Sequence, residues 1–347
     1  MSDDCVGLDA DWIVANVEVD GVTPAAATFG GFIGTGQMSR NARWGLDWGD
    51  ADGPTSVVVK VPSADATVRA VSFEHGIYQK ECGFYLTVRP LTDVAAPALL
   101  ASHVADDDFC LVLEDLSGSE QGDQFTEPSD EQLVLAIEQA AALQAPVWGK
   151  LDQPAFDAYR VDNEARAAGY AEQMAFFYAV VKDRLGPGLD PDVVAMLDEF
   201  VPRSGSYVGR AEPVTLVHGD FRPDNFLFAV EPDAPPIMIV DWQTLALGVG
   251  TTDIAYLLGA AVGPERRRAI EHDMIDRYLA ALATRGIDHP RERCLEEYAI
   301  GSLHGLFVAM AATTMAEQTD RGDALFTLML NRHGRHAIDM DALARLD

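Results

Sequence analysis

Three oxygen-bearing side chains flank short apolar runs between residues 214 and 241. Asp220 follows the run Val214–Val217, and Asn225 begins a second run. A proline-containing turn then leads into Ile237–Val240, which ends at Asp241. We expect the last two runs to pair as a hairpin, which brings Asn225 and Asp241 to one end of it. Carboxylate and amide oxygens are ligands that suit Mg²⁺, so the pattern predicts a magnesium site that bridges phosphates.

Each of the three residues also has an ordinary structural interpretation. Asp220 and Asp241 could cap turns, and Asn225 could simply begin a strand. Taken singly, these interpretations are the more common ones. The coincidence of all three residues at one end of a hairpin favours the metal site.

A lysine and a glutamate occupy positions that the sequence predicts to be buried. Lys60 interrupts the β-branched run Ser56–Val61, and by strand alternation it shares a face with Val58. Glu81 lies on the apolar face of a helix predicted over Phe73–Tyr85. A buried carboxylate needs a cationic partner, so we expect Glu81 to pair with Lys60, which would be directed at nucleotide phosphates. The alternative is an edge-strand lysine, or one of which only the stem is buried.

A glycine-rich stretch, Gly30–Ser39, precedes the lysine strand and contains Gly34, Gly36 and Ser39. Glycines of this kind let backbone N–H groups approach phosphate oxygens without obstruction by side chains. The stretch lacks the G-K-[ST] ending of a Walker A loop and the third glycine of a dinucleotide fingerprint. An ordinary hairpin turn explains it equally well.

The elements that position these residues fall into two parts. Strand-like runs around one helix dominate the first third of the chain, and the remainder is mostly helical. The polar, glycine-containing segment Ser117–Asp123 breaks the pattern, and we place the boundary between an N-terminal lobe, 1–115, and a C-terminal lobe, 116–347, there. The helical stretches are expected at Phe73–Tyr85, Ser129–Leu143, Ala155–Leu185, Pro191–Phe200, Asp253–Val262, Pro264–Arg285 and Arg291–Glu317.

The composition limits the class of protein. The chain has 347 residues and a formal net charge of -30, which argues against a nucleic-acid partner. Its hydrophobic fraction of 48% is typical of a globular protein with a sizeable core. Four scattered cysteines form no C-x-x-C pair, which disfavours zinc and disulfides and favours a reducing, cytoplasmic location. No targeting segment is visible, and we interpret the apolar stretch 299–316 as a buried helix, so no membrane partner is expected.

Together these residues resemble a kinase fold in their order and spacing. The resemblance is carried by the glycine-rich stretch, the strand lysine, the helix glutamate, H-G-D-F-R-P-D-N at 218–225 and D-W-Q at 241–243. More narrowly, the chain resembles the aminoglycoside phosphotransferase and choline kinase superfamily over roughly 29–258, especially its ecdysteroid kinase-like branch and related bacterial phosphotransferases. This resemblance implies an α+β, two-lobed protein-kinase-like fold with a strand-rich N-lobe and a mainly helical C-lobe.

The resemblance also implies roles for individual residues. Asp220 would orient the substrate hydroxyl and accept its proton, and Arg222 would stabilise charge near the transferring phosphoryl group. Asn225 and Asp241 would bind Mg²⁺. Further residues would contact or support the nucleotide, through the phosphates or through the backbone of the inter-lobe hinge: Lys60, Glu81, Gly34, Gly36, Ser39, Glu114 and Leu116. Asp253 resembles the acidic residue that steadies the catalytic loop, although a plain helix N-cap is the alternative.

The resemblance implies a small-molecule kinase that transfers the γ-phosphoryl group of ATP, or of GTP, to a hydroxyl group with Mg²⁺ as cofactor. The alternatives are a nucleotide-binding scaffold without catalysis and a metal-dependent hydrolase. The phosphate acceptor is expected to be a small hydroxylated molecule, and the protein a monomer or homodimer. The aromatic region Tyr170–Tyr178 could suit an apolar alcohol, whereas the net negative charge would suit an amino sugar or choline.

Overall fold

The computed structural model describes residues 8–34, 38–105, 108–209, 212–316 and 318–346. Its N-terminal part is built on a five-stranded antiparallel sheet with the strand order β1-β2-β3-β5-β4. The five strands are β1 (Ala26–Ile33), β2 (Ser39–Asp47), β3 (Ser56–Pro62), β4 (Leu99–Val104) and β5 (Phe109–Glu114). A short helix, α1 (Ala10–Asn16), packs on β1.

Side chains of β3 alternate between the two faces of the sheet, and one of these faces belongs to an apolar core. Val57, Val59 and Val61 are buried in a cluster that includes Ile13 of α1. Lys60 points away from that cluster, as the alternation of the run predicts.

Two helices follow β3 where the sequence predicts one. They are α2 (Ala66–Glu74) and α3 (Ile77–Gly83), and a π-helical turn over Phe84–Val88 continues α3. Gly76 separates them with φ 64, a left-handed conformation that an α-helix does not accommodate and that glycine adopts without penalty. Glu81 therefore belongs to a short helix that starts at Ile77.

The C-terminal part is mainly helical and encloses the largest core. Its helices are α4 (Asp130–Gln144), α5 (Asn163–Leu185), α6 (Pro191–Gly209), α7 (Thr251–Ala261), α8 (Pro264–Thr284), α9 (Arg291–Gly301), α10 (His304–Met315) and α11 (Asp320–Asp339). The helix predicted over Ala155–Leu185 is divided into a 3-10 turn, Pro154–Tyr159, and α5. The helix predicted over Arg291–Glu317 is likewise divided into α9 and α10, and α11 was not predicted.

Two small sheets hold the loops between α6 and α7. β7 (Thr215–Val217) pairs with β10 (Ala246–Gly248), while β6 (Ser119–Gln121), β8 (Phe226–Ala229) and β9 (Ile237–Ile239) form the second sheet. The predicted hairpin is confirmed, since Phe226 lies opposite Ile239. The segment Ser117–Asp123 is not wholly irregular as predicted, because β6 pairs with β8 within it.

One stretch, Arg291–Met315, is long and apolar enough to cross a membrane, with a mean hydropathy of 1.3 in its most apolar window. Of that window, 56% is buried inside the protein. The stretch is shared between α9 and α10, and α10 packs on α5 and α11. Buried core helices meet the same criterion, so the stretch is weak evidence for a membrane span.

Candidate active site

Lys60 joins the N-terminal sheet to the C-terminal hairpin. Its ammonium Nζ lies 2.7 Å from Oε1 of Glu81 and 2.8 Å from Oδ1 of Asp241. Lys60 is 6% exposed and Glu81 is 1% exposed, so the predicted pair forms and is buried. Burial opposes the charged ammonium, but the Asp241 and Glu81 carboxylates outweigh it and raise the pKa of Lys60. The lysine is therefore a fixed positive charge held between Glu81 and Asp241.

Asp220 is surrounded by three hydrogen-bond donors. Arg222 Nε lies 3.0 Å from its Oδ1, and the Tyr256 hydroxyl donates to the same oxygen over 2.7 Å. Asn225 Nδ2 donates to Oδ2 over 2.9 Å. Burial favours the neutral acid, but the Arg222 charge and the Tyr256 hydrogen bond outweigh it, and the pKa of Asp220 lies below its ordinary value. An ionised carboxylate is thus held in a fixed orientation.

Asn225 and Asp241 meet at the end of the hairpin, as predicted. The backbone N–H of Val240 donates to the carbonyl oxygen of Asn225 over 3.0 Å. Asp241 has φ 68, a left-handed conformation that is uncommon for residues other than glycine. Its Oδ2 accepts a hydrogen bond of 3.2 Å from Gln243 Nε2. Strained backbone of this kind often marks a functional site.

The donor set at this end of the hairpin suits a magnesium ion. Asn225 supplies an amide oxygen and Asp241 a carboxylate, both hard ligands. The described part of the chain contains no group of three or more His, Cys, Asp or Glu side chains that could hold a metal. Mg²⁺ needs no such cage, because it is usually bound by one or two carboxylates together with substrate phosphates and water. The residues present therefore fit the ion.

Asp253 anchors the loop that carries Asp220. Its carboxylate accepts backbone hydrogen bonds of 2.8 Å from His218 and 3.1 Å from Gly219, and one of 3.3 Å from the side chain of Gln144. Burial raises the pKa of Asp253 to about 7. The residue is not the N-cap of α7, a position that Gly250 occupies, so the cap alternative does not apply.

Gly219 is required by the tight course of the same loop. Its φ is 83, and a Cβ at this position would lie 2.7 Å from the carbonyl oxygen of Thr244. Any other residue at 219 would push the loop away from the segment that follows Asp241.

His218 has a structural role in this loop. Its Nε2 donates to the carbonyl oxygen of Val240 over 3.0 Å, while Nδ1 accepts the backbone N–H of Asp220 over 3.3 Å. Burial lowers the pKa of His218, which keeps the ring neutral and preserves both contacts. The ring also packs at 4.8 Å from that of Trp242, which stacks on Phe84 at 3.7 Å.

The predicted hinge is tied to the N-terminal sheet. The Glu114 N–H donates to the carbonyl of Ala98 over 2.9 Å, and the Glu114 carboxylate accepts from the Ala98 N–H over 3.1 Å. The Leu116 carbonyl accepts from the Ser119 N–H over 3.0 Å. These contacts fix the course of the chain between the two lobes.

The described residues of the glycine-rich stretch belong to β1 and to the start of β2, or adjoin them. Gly34 follows β1 with φ 72, and no heavy atom of the described residues lies within 4 Å of an added Cβ there. Ser39 begins β2 and is buried, at 5% exposure. Gly36 lies outside the described residues.

Sequence reasoning missed several residues that the fold brings to Asp220. Tyr256 was not predicted, although it lies three residues after Asp253 on α7, and that spacing places both on one helix face. Gln124 accepts a 2.6 Å hydrogen bond from Arg222, and His304 Nε2 donates to the carbonyl of Gly219 over 2.7 Å. Neither of these two carries a local sequence signal, because each is more than 80 residues from its partner.

Comparison with known proteins agrees with this geometry. The family model APH, described as the phosphotransferase enzyme family, matches residues 40–295. No curated protein sequence matches the chain. Three solved structures that share its fold have low sequence identity, 12–16%, below the level at which a shared fold implies a shared function.

Three of these structures are similar along nearly their whole length. A microcompartment-associated aminopropanol kinase has a TM-score of 0.51 at 14% identity, covering 96% of this chain and 97% of its own. The GDP and kanamycin complex of APH(2″)-IIia has a TM-score of 0.53 at 16% identity, covering 95% of this chain and 98% of its own. Choline kinase from Cryptosporidium parvum Iowa II has a TM-score of 0.54 at 12% identity, covering 91% of this chain and 89% of its own. The predicted two-lobed α+β kinase-like fold is confirmed.

Proposed function

The chain belongs to the phosphotransferase enzyme family, and from this premise we propose that it transfers the γ-phosphoryl group of ATP to a hydroxyl group of a small molecule. The observation that carries the proposal is Asp220, which is half-buried, hydrogen-bonded and held ionised, together with the Lys60–Glu81–Asp241 cluster. The charges of Asp220 and Asp241 both act on Arg222. A carboxylate base with cations close by is what transfer of a phosphoryl group to an alcohol requires.

In the proposed reaction, Asp220 accepts a hydrogen bond from the acceptor hydroxyl and takes its proton as the new bond to the γ-phosphorus forms. The bond between that phosphorus and the β,γ-bridging oxygen breaks, and ADP leaves. The lowered pKa of Asp220 keeps the carboxylate ionised at neutral pH. Arg222, next to Asp220, offers positive charge to the transferring group. Catalysis then comes mainly from positioning and charge neutralisation, and no covalent enzyme intermediate is needed.

Asn225 and Asp241 are the residues that would hold Mg²⁺. When bound, the ion neutralises charge on the nucleotide phosphates. Lys60, oriented by Glu81, would contact the α- and β-phosphates. The backbone at Glu114 and Leu116 would bind the base, and the β1–β2 hairpin with Gly34, Gly36 and Ser39 would cover the phosphates. A structural neighbour was solved with GDP, which supports testing GTP beside ATP.

The decisive test is the variant Asp220→Asn. We expect turnover to fall by at least about a thousandfold, because the amide cannot accept the proton, while nucleotide affinity stays nearly unchanged. Product mass after incubation with ATP or GTP and a panel of hydroxylated compounds measures turnover, and calorimetry with a nonhydrolysable ATP analogue measures affinity. Asp233→Asn, at the exposed turn of the same hairpin, is the matched control. Unchanged turnover in Asp220→Asn would refute the assignment.

The same assay separates the alternatives. A scaffold that only binds nucleotides would show affinity without any phosphorylated product. A metal-dependent hydrolase would release phosphate without phosphorylating any compound of the panel.

A further inference from the structure

A largely buried aromatic cluster between α5 and α10 is covered on one side by an exposed guanidinium. We call it the α5–α10 platform and define it by Arg166, Tyr170, Phe177 and Phe307. Phe307 packs 5.3 Å from Tyr170 and 6.3 Å from Phe177. The Arg166 guanidinium lies 5.2 Å from the ring centre of Tyr170 and 5.6 Å from that of Phe307. Arg166 is exposed and Phe307 is half-buried, so both can be reached from solvent, whereas Tyr170 and Phe177 are buried.

The platform borders the loop that carries Asp220. His304, the first residue of α10, donates from Nε2 to the carbonyl of Gly219 over 2.7 Å. Phe307 follows one helical turn later, with its ring 6.5 Å from that of His304. Burial lowers the pKa of His304; the charge of Arg166 acts in the same direction and that of Asp220 opposes it. Arg166, Phe307 and His304 thus form a continuous line of contacts from the platform to the loop of Asp220.

Two cations near the platform have no acidic partner. Among the described residues, no carboxylate lies within 4 Å of the charged groups of Arg166 or Lys80. Lys80 is half-buried, and burial together with the nearby charge of Arg166 lowers its pKa. The chain has 55 acidic residues against 25 lysines and arginines, so two neighbouring cations without a carboxylate are unexpected.

We propose that the phosphate acceptor is a hydroxylated compound with an apolar or aromatic body and an anionic group such as a carboxylate. The body packs on Phe307, the anion binds Arg166 with Lys80 nearby, and the hydroxyl reaches Asp220. This inference rests on the proposed kinase function. The net charge of the whole chain favours a cationic acceptor, but Arg166 and Lys80 are two neighbouring cations, and charges at contact distance decide what binds there.

Three probes with the same body and hydroxyl but different charge test the proposal directly. They are 4-(hydroxymethyl)benzoate, 4-(hydroxymethyl)benzamide and 4-(hydroxymethyl)benzylamine, titrated calorimetrically into the full chain with and without a nonhydrolysable ATP analogue. We expect the wild type to bind the carboxylate at least about tenfold more tightly than the amide, as for a charge-assisted hydrogen bond. The amine should bind weakest.

Variants identify the residue that sets the order of the three probe affinities. Arg166→Gln should remove the preference for the carboxylate and leave affinity for the amide unchanged, whereas Phe307→Leu should weaken binding of all three probes to a similar degree. Lys182→Gln is the matched control, since Lys182 also lies over an aromatic ring of α5, 4.3 Å from that of Tyr178, but pairs with Asp198. The Lys182→Gln variant should bind the three probes in the same order of affinity as the wild type.

Equal affinities, a preference for the amine, or no detectable binding at millimolar concentration would overturn the inference. So would an Arg166→Gln variant that keeps the preference. Failure of the proposed function is a separate outcome, in which the carboxylate binds but neither ATP nor GTP yields a phosphorylated product from any compound of the panel.

Discussion

Asp220 stays ionised because the charge of Arg222 and the hydrogen bonds from Tyr256 and Asn225 outweigh the effect of its partial burial. Arg222 and Asn225 reach it from its own loop, while Tyr256 reaches it from α7. Tyr256 therefore has a positioning role in the proposed reaction. The tyrosine also stacks on His333 of α11 at 5.0 Å with an interplanar angle of 4°, which restricts its ring.

Replacing Tyr256 by phenylalanine should lower kcat/KM by about tenfold, since one hydrogen bond to a charged group is lost. The hydroxyl favours the ionised carboxylate, so its removal should raise the pKa of Asp220 and move the acidic limb of the kcat/KM profile to higher pH. Steady-state rates across a pH series check both effects. Tyr178→Phe, which removes a hydroxyl bonded to Val194, should leave the profile in place. A uniform loss of rate with an unmoved acidic limb would contradict the positioning role.

Among the structural elements, the hairpin of β8 and β9 and the start of α7 do most to build the site. The hairpin places Asn225 beside Asp241, and the first turn of α7 places Asp253 under the loop of His218 and Gly219. The loop is thus held from two sides.

Asp253→Asn should destabilise the protein by about 1–3 kcal/mol, because an amide cannot accept all three hydrogen bonds and leaves buried donors unpaired. It should also change the pH dependence of stability. The pKa of Asp253 is about 7 in the folded chain against an ordinary 3.8, so between these values the folded state binds a proton that the unfolded state lacks. The contribution of Asp253 therefore makes the free energy of unfolding fall as pH rises from about 4 to about 7.

Urea unfolding at several pH values checks this prediction. The wild type should lose more stability across that range than Asp253→Asn, whose slope should be flatter. Asp233→Asn should follow the wild type. Parallel slopes for the wild type and Asp253→Asn would show that the pKa of this carboxyl is not raised.

The elements that were predicted correctly carry local signals. The strand alternation around Lys60 and the helical spacing around Glu81 depend only on neighbouring residues, and together they predicted the ion pair that the structure shows. The proline-containing turn before β9 is also a local signal, and it predicted the pairing of β8 with β9. Helix α11 was missed although its buried residues Phe326, Met329 and Leu330 recur at helical spacing. The polar edge strand β6 gave no local signal, because it is defined by its pairing with the distant β8.

At the scale of the whole molecule, the dominant property is the net charge of -30. Such a charge destabilises the compact state through self-repulsion. Many ion pairs lie at the surface, for example Arg277 with Asp273 and Arg291 with Asp276. Exposed pairs of this kind each contribute little to stability.

Raising the salt concentration should therefore stabilise the protein. The Debye length falls from about 10 Å at 0.1 M to about 3 Å at 1 M, which screens the repulsion more than it weakens the exposed pairs. We expect Tm to rise by several degrees over this range in differential scanning calorimetry. NaCl and KCl should act alike if screening is the cause. A fall in Tm would mean that the ion pairs outweigh the repulsion.

The contacts of Lys60 have one more consequence for the molecule. This lysine touches Glu81 of its own lobe and Asp241 of the opposite lobe, a residue 181 positions away. The two lobes are therefore bridged by this one ammonium. In the proposed reaction, the triphosphate would take over the ammonium that Asp241 holds, and Asp241 would be free to bind the divalent ion. We therefore expect nucleotide and magnesium to bind cooperatively, because each would replace one side of the Lys60–Asp241 contact.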